Sequence, residues 1–155
     1  MIELDRIDRK IIDALQREGR LPMTELAQRI GLTTSPCTER VKRLEREGVI
    51  EGYHARVSPE ALGRTLLVYV ELTLSSKSTQ IFDAVRQALL LEPRVLECHL
   101  ISGSFDYLVK VRLTAMREYR ELLGHILRQI PVPAQSNSYV VMEEIKENGP
   151  LAALA

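Results

Sequence analysis

The stretch "ECHLISGSFDYLVKVRL", residues 97–113, decides the fold. It contains two apolar-rich runs, each long enough for a β-strand, and between them lie Gly103, Ser104, Phe105, Asp106 and Tyr107. Glycine and aspartate are typical of tight turns, because glycine accepts a positive φ and an aspartate side chain bonds nearby backbone N–H groups. The stretch therefore predicts two consecutive strands joined by a short loop.

The residues on both sides of this strand pair predict one strand and one helix in each direction. Alternating apolar residues predict a strand before it, at Leu66, Val68, Val70, Leu72 and Leu74. Helical spacing predicts a helix carrying Ile81, Val85 and Leu89, and another carrying Tyr119, Leu122, Ile126 and Ile130. "SNSYVVMEEIKE", residues 136–147, is predicted to be the last strand. The order β-α-β-β-α-β is that of the ferredoxin-like split βαβ arrangement.

The sheet of such a fold carries both helices on one face, so its other face needs a cover. The first strand is rich in branched apolar residues, and later strands add Cys98, Leu100, Val140 and Met142. We expect an apolar open face that pairs with a second copy of the chain, because closed two-fold association is the commonest solution.

The first fifty residues have helical periodicity throughout and predict a separate module. Glycines at 19, 31 and 48 end three helices, and "IGLTTSP", residues 30–36, is the short turn between the second and third. Ser35 is the expected N-cap of helix three and Pro36 its first helical residue. "VIEGYHARV", residues 49–57, reads as a short hairpin. Three helices followed by a hairpin predict a winged helix-turn-helix.

Helix three of this module has an apolar side and a basic side. At 100° per residue, Cys37, Val41 and Leu44 share one inward stripe. A recognition helix places residues near its N-terminus toward base edges and flanking cations on phosphates. The candidates for the DNA groove are Ser35, Thr38, Glu39 and Lys42, next to Pro36, and the candidates for phosphate are Arg40, Arg43 and Arg46. The alternative is a solvated helix face on which Glu39 pairs with Arg43.

Composition excludes several classes of function. The 155 residues contain 21 Lys plus Arg and 21 Asp plus Glu, so any nucleic-acid binding must come from a local patch. Two distant cysteines predict a reducing compartment, and the charged N-terminus is not a signal peptide. No apolar run reaches the roughly 20 residues that cross a bilayer. These features together lead us to expect a cytoplasmic protein. We expect no metal site, because His54, His99 and His125 are isolated.

The loop from Gly103 to Tyr107 has two possible roles. In the first, it is only a turn in which Gly103 takes a positive φ and Asp106 caps a backbone N–H. In the second, the glycine lets a ligand approach the main chain, Asp106 binds an ammonium, and backbone N–H groups bind a carboxylate. The second arrangement would hold a zwitterion. No catalytic or phosphate-binding motif accompanies it.

Four segments together resemble the leucine-responsive and asparagine-responsive regulators, the Lrp/AsnC or feast/famine transcription factors. The segments are "LDRIDRKIIDALQREGR" from Leu4, "TSPCTERVKRLEREGVIEGY" from Thr34, "ECHLISGSFDYLVKVR" from Glu97 and "SYVVMEEIK" from Ser138. The resemblance implies an α+β chain with four parts: a winged helix-turn-helix at 1–52, a hinge at 53–64, a ferredoxin-like RAM/ACT-like domain at 65–147 and a tail at 148–155. It also implies dimers that assemble further, often to octamers, with an amino acid such as leucine bound between dimers.

The resemblance further implies which residues bind that effector. They are Leu100, Ser102, Gly103, Phe105, Asp106 and Tyr107 of the loop, and Ser136 and Ser138 of the last strand. The expected function is a transcriptional regulator that is not an enzyme, has no cofactor, and responds to an amino acid. Two alternatives remain: a tetrapyrrole (sirohaem) decarboxylase-like enzyme of the same two-domain type, and an amino-acid sensor that does not bind DNA.

Overall fold

The chain folds into two compact units. A computed structural model describes residues 2–153. The described residues up to Arg56, together with those from Ile145 onward, form one unit, and Val57–Glu144 form the other. Within residues 2–153, no helix combines the length and the apolar character needed to span a bilayer.

The N-terminal unit contains three helices: α1 (Arg6–Arg17), α2 (Met23–Ile30) and α3 (Thr34–Arg46). Asp5 caps α1 by accepting a hydrogen bond from the backbone N–H of Asp8. Gly31 ends α2 with φ 78°, a left-handed conformation that favours glycine. The helices pack around a core to which α3 contributes Cys37, Val41 and Leu44, which confirms the predicted inward stripe.

Two local predictions for this unit are wrong. The N-cap of α3 is Thr33 rather than Ser35, and Pro36 lies inside the first turn, where its missing N–H breaks no helical bond. The predicted hairpin at residues 49–57 contains no strand. The segment from Glu51 to Val57 is exposed. A segment without a partner strand satisfies its backbone groups with water instead.

The tail is bonded to α1. The Gln16 side chain donates from Nε2 to the Leu151 carbonyl at 3.0 Å and accepts from the Leu151 N–H at 2.7 Å. Arg9 donates to the Ala153 carbonyl at 3.3 Å. Since both side chains bond backbone atoms, this attachment depends little on the side chains of the tail.

Gln16→Ala is expected to detach the tail from α1. Losing two hydrogen bonds, each worth about 0.5–1.5 kcal/mol, should speed exchange of the Leu151 amide by roughly 5- to 150-fold. Hydrogen exchange of the full chain measures this. Gln28→Ala, on the exposed side of α2, is the matched control. Unchanged protection at Leu151 in Gln16→Ala would show that the tail is held by other contacts.

The second unit has the predicted order of elements. Its strands are β1 (Leu66–Leu74), β2 (Val95–Leu100), β3 (Tyr107–Leu113) and β4 (Ala134–Val140), and its helices are α4 (Thr79–Leu90) and α5 (Met116–Gln129). All pairings are antiparallel, in the spatial order β2-β3-β1-β4. The last strand lies earlier than expected: it ends at Val140, and the last bond to β1 runs from the Val141 N–H to the Leu67 carbonyl at 2.9 Å. The core lies between the sheet and both helices.

The prediction of an apolar open face is wrong. Directly paired residues of neighbouring strands point to the same face of a sheet. Cys98 pairs with Val109, and Val140 pairs with Val68, and both partners belong to the core under the helices. Leu100, two residues after Cys98, therefore also faces the helix side, and Met142 lies beyond β4.

The open face is mixed: Leu67 and Leu108 share it with polar and charged side chains. Lys110 of β3, which is buried, donates to Glu97 of β2 at 3.0 Å. Across β1 and β4, the Tyr139 hydroxyl donates to Glu71 at 3.0 Å. Cross-strand pairs of this kind stabilise a sheet, and they keep the face from being an uninterrupted apolar surface.

Candidate DNA-binding and effector-binding sites

One side of α3 is open to solvent and carries most of the predicted groove residues. Ser35, Glu39, Lys42 and Arg46 are all exposed, as is Pro36. Thr38 lies at the edge of this surface, and its hydroxyl donates to the Thr34 carbonyl at 2.8 Å. Two cations and a short polar N-terminal turn therefore face outward together.

The other two predicted phosphate partners, Arg40 and Arg43, turn toward the start of α1. Arg40 donates from Nη1 to Asp5 at 2.6 Å and to Asp8 at 2.9 Å. Arg43 donates from Nη2 to Asp8 at 2.5 Å. Arg43 bonds Asp8, so the alternative in which it pairs with Glu39 is wrong. Both arginine side chains remain about one-third exposed, at 32% and 36%.

Sequence reasoning missed Asp5 and Asp8 as members of this surface. Their only local signal is the spacing of Asp5 and Asp8, an N-cap and the third helical residue, which form a reciprocal capping box on α1. Nothing in that spacing indicates that two arginines more than 30 residues away bond the same carboxylate.

The effector loop is a closed turn with an open tip. The Ile101 N–H donates to the Asp106 carbonyl at 2.8 Å, which closes the base of the loop. Gly103 has φ 149°, the positive φ expected for it. Ser102 and Gly103 are exposed and Phe105 is half-buried. Across residues 2–153, no acceptor bonds the backbone N–H groups from Ser102 to Phe105.

Asp106 is buried under this loop and already has two partners. Its Oδ2 accepts the Leu74 N–H at 2.8 Å, and its Oδ1 lies 2.7 Å from the Lys77 ammonium. Burial raises the pKa of Asp106, but the bonds from Lys77 and Leu74 outweigh it and hold the pKa below its usual value. The side chain is therefore an ionised carboxylate that caps a backbone N–H and binds an ammonium from the same chain.

Tyr107 points into the core rather than toward the loop tip. It is buried, its hydroxyl donates to the Phe82 carbonyl at 3.2 Å, and its ring lies 6.1 Å from that of Phe82. Leu100 is exposed on the strand beside it. The two residues line an open groove of about 240 Å³ with Arg86, Leu89 and Cys98.

The two serines of β4 lie away from the loop within one chain. Ser136 pairs with Leu72, and the Asp106 N–H bonds the Leu72 carbonyl on the other side of β1. Two strand spacings, about 10 Å, thus separate Ser136 from Asp106. Ser138 shares a hydrogen bond with the Tyr119 hydroxyl on the helix side. One chain therefore does not bring the serines and the loop together.

Other reactive groups have structural surroundings. Cys37 is fully buried, and burial raises the pKa of its thiol, which suits packing rather than nucleophilic chemistry. His125 bonds Gln129 at 2.8 Å, and His99 lies 3.7 Å from Glu97. In the described part of the chain, no group of three potential ligands is placed to bind a metal ion.

Comparison with known proteins assigns both units. Residues 4–51 match a family of winged helix-turn-helix DNA-binding domains, and residues 67–151 match the Lrp/AsnC ligand binding domain. The chain is 46% identical over 149 residues to the leucine-responsive regulatory proteins of Klebsiella pneumoniae and Escherichia coli K12, covering 96% of this chain and 91% of theirs.

Solved structures agree with this assignment. A transcriptional regulator of Neisseria meningitidis in complex with L-methionine has a TM-score of 0.89, 32% identity, and 96% coverage of both chains. A feast or famine regulatory protein of Mycobacterium tuberculosis complexed with L-methionine has a TM-score of 0.82 and 30% identity, covering 94% of this chain and 96% of that one. The predicted fold class is thereby confirmed. The chain belongs to the Lrp/AsnC family and is a DNA-binding transcriptional regulator with an amino-acid-binding domain.

Proposed function

We propose that the regulator senses leucine or another amino acid through the loop from Leu100 to Tyr107. The effector's ammonium binds Asp106, and its carboxylate binds the N–H groups at the loop tip, from Ser102 to Phe105. The observation that carries this proposal is the combination of an ionised, buried carboxylate with unbonded backbone donors one to four residues before it. Two solved relatives contain L-methionine, an amino acid of similar size.

The effector binds at the surface of the second unit rather than inside it. The cavity between β1, β3 and α5 is about 10 Å³, no more than a single water needs. The groove beside β2 is much larger and has an apolar wall that includes Leu89 and Leu100. It suits the apolar side chain of an amino acid whose charged groups are bound at the loop.

A second copy of the chain completes the site. The proposed effector contacts include Ser136 and Ser138 of β4 as well as the loop. Within one chain Ser136 lies about 10 Å from Asp106. An effector that contacts both the serines and the loop therefore needs two subunits. We propose that the regulator is a homodimer that assembles further, to an octamer, with the amino acid between dimers. The effector favours whichever assembly state binds it more tightly, by an amount set by the difference between its affinities for the two states. The favoured assembly state then sets how many α3 helices bind one DNA molecule at the same time.

DNA is bound through α3, in the cytoplasm. Ser35, Thr38, Glu39 and Lys42 approach base edges in the major groove beside Pro36, and Arg40, Arg43 and Arg46 contact phosphates. The exposure of Lys42 and Arg46 and the partial exposure of Arg40 and Arg43 support this division.

The two alternatives have less support. A tetrapyrrole decarboxylase would use histidines and arginines on the carboxylates of its substrate, but His99 and His125 lie beside carboxylates of the chain itself. A sensor that does not bind DNA is disfavoured by the match to DNA-binding domains. The relatives above are transcriptional regulators, which favours a chain without enzymatic activity.

Lys77→Met tests whether the effector's ammonium binds Asp106. Because Lys77 occupies that position at 2.7 Å, an incoming ammonium must displace it, and removing it should tighten effector binding by about threefold to tenfold. Calorimetry of the full chain with L-leucine and L-methionine measures the dissociation constant. Lys77→Arg, which keeps the charge, should stay near wild type. Weaker binding by Lys77→Met would place the ammonium elsewhere.

A further inference from the structure

Asp8 is the most completely buried charged side chain of the N-terminal unit among the described residues, at 1% exposure. A carboxylate removed from water needs charged or N–H partners. Its Oδ2 accepts the Asp5 N–H at 3.1 Å and Arg43 at 2.5 Å, and its Oδ1 accepts Arg40 at 2.9 Å. One carboxylate on α1 therefore holds two arginines of α3.

Each arginine keeps donors for another partner. Arg40 uses only Nη1 for Asp5 and Asp8, and Arg43 uses only Nη2 for Asp8. The Nε of Arg43 is buried without a hydrogen bond, so the donors left for an outside partner are those on its Nη atoms. A guanidinium is a rigid planar fork, so fixing one edge fixes the direction of the remaining N–H groups. Asp8 bonds both side chains, and each side chain remains about one-third exposed.

We propose that Asp8 is a positioning residue for DNA binding, which orients Arg40 and Arg43 so that their free N–H groups meet two backbone phosphates. This inference rests on the proposed assignment of both arginines to phosphate. Asp8 belongs to α1, outside the helix that contacts DNA. Its proposed role is to orient Arg40 and Arg43, and it does not itself contact the duplex.

The direction in which DNA affinity changes when the negative charge of Asp8 is removed distinguishes positioning of the arginines from simple charge attraction. Asp5 and Asp8 balance Arg40 and Arg43, so the cluster adds no net positive charge to the surface. Asp8→Asn removes one negative charge and, by attraction alone, should tighten binding to DNA. If Asp8 positions the arginines, the same substitution weakens binding, because two guanidinium groups lose their fixed orientation.

The experiment measures dissociation constants of the full chain by fluorescence anisotropy over a range of salt. The probes are a duplex from upstream of the chain's own gene and an unrelated duplex of equal length. Asp8→Asn should weaken binding to both duplexes about tenfold. The salt dependence of binding should decrease by an amount that corresponds to the loss of about one to two phosphate contacts. Asp13→Asn, which makes the same charge change on α1 beside Arg17, should bind as well as wild type or slightly better.

Loss of folding is separated from positioning by a double-mutant cycle. Circular dichroism first establishes the temperature at which each variant is folded. If Asp8 acts through Arg43, Asp8→Asn costs much less affinity in an Arg43→Gln background than alone. Equal costs in both backgrounds, or unchanged or tighter binding by Asp8→Asn, overturn the inference. If Arg40→Ala and Arg43→Ala also leave affinity and salt slope unchanged, the phosphate assignment itself fails.

Discussion

Asp106→Asn is expected to abolish the response of DNA binding to amino acids, while binding without effector stays near wild type. Asparagine keeps an oxygen for the Leu74 N–H but loses the charge that binds an ammonium. Hydrogen bonds to charged groups contribute about 1.5–3 kcal/mol, so effector affinity should fall roughly 10- to 150-fold. Anisotropy titrations of labelled DNA, with increasing L-leucine or L-methionine, measure the response.

Asparagine is a cleaner substitution than alanine at this position. Asp106→Ala would also leave the buried N–H of Leu74 without a partner, at a cost of about 1–3 kcal/mol in stability. The matched control is Asp83→Asn, which removes an exposed carboxylate paired with Arg86 on α4 of the same unit. If Asp106→Asn keeps the wild-type effector midpoint, Asp106 is only a structural cap of the loop.

Lys42→Ala is expected to weaken specific DNA binding and relax sequence preference. A side chain that reads a base edge contributes about 1–3 kcal/mol of discrimination, which corresponds to a factor of about 5 to 150. Lys42 is exposed on the outward side of α3, and no residue of the described chain pairs with it. Competition between the upstream duplex and single-base variants of it measures the change in preference.

Arg46→Ala provides the contrast to Lys42→Ala. A phosphate contact carries no sequence information, so its loss should weaken binding to all duplexes alike and lower the salt slope by about one. Arg20→Ala, an exposed cation outside α3, serves as the control for net charge. Equal losses on specific and unrelated DNA for Lys42→Ala would move Lys42 from the groove to the phosphates.

The helices and strands whose apolar side chains recur with a clear period could be predicted from the sequence. Buried Val68, Val70 and Leu72 alternate along β1, and Cys37, Val41 and Leu44 form the stripe of α3. Such patterns reflect burial on one face of a single element, which is a local property. They therefore predicted both the order of the elements and the inward side of α3.

The open face of the sheet was mispredicted because a face depends on register. Cys98 and Val140 look like members of an apolar outer surface, but pairing with Val109 and Val68 places them on the helix side. A shift of one residue moves every side chain to the opposite face. Composition alone does not determine that register, and the bulge between Val95 and Glu97 changes it further.

The polar clusters of both sites were missed for a related reason. Asp8 bonds Arg40 and Arg43, and Asp106 bonds Lys77, across separations of about 30 residues. No short-range spacing indicates such pairs, since folding brings their elements together. The individual residues were visible as candidates, but the carboxylates that hold the arginines, and the lysine that occupies the ammonium position, became visible only in three dimensions.

In the proposed function, α3 meets DNA through outward cations while a separate unit binds an amino acid that alters this contact. The most direct measurement is the affinity of the full chain for its own upstream duplex, with and without a panel of amino acids at fixed salt. We predict tight, salt-dependent binding that leucine or a related amino acid shifts severalfold, and no shift in Asp106→Asn. Binding that is absent, or that no amino acid changes, would contradict the claim.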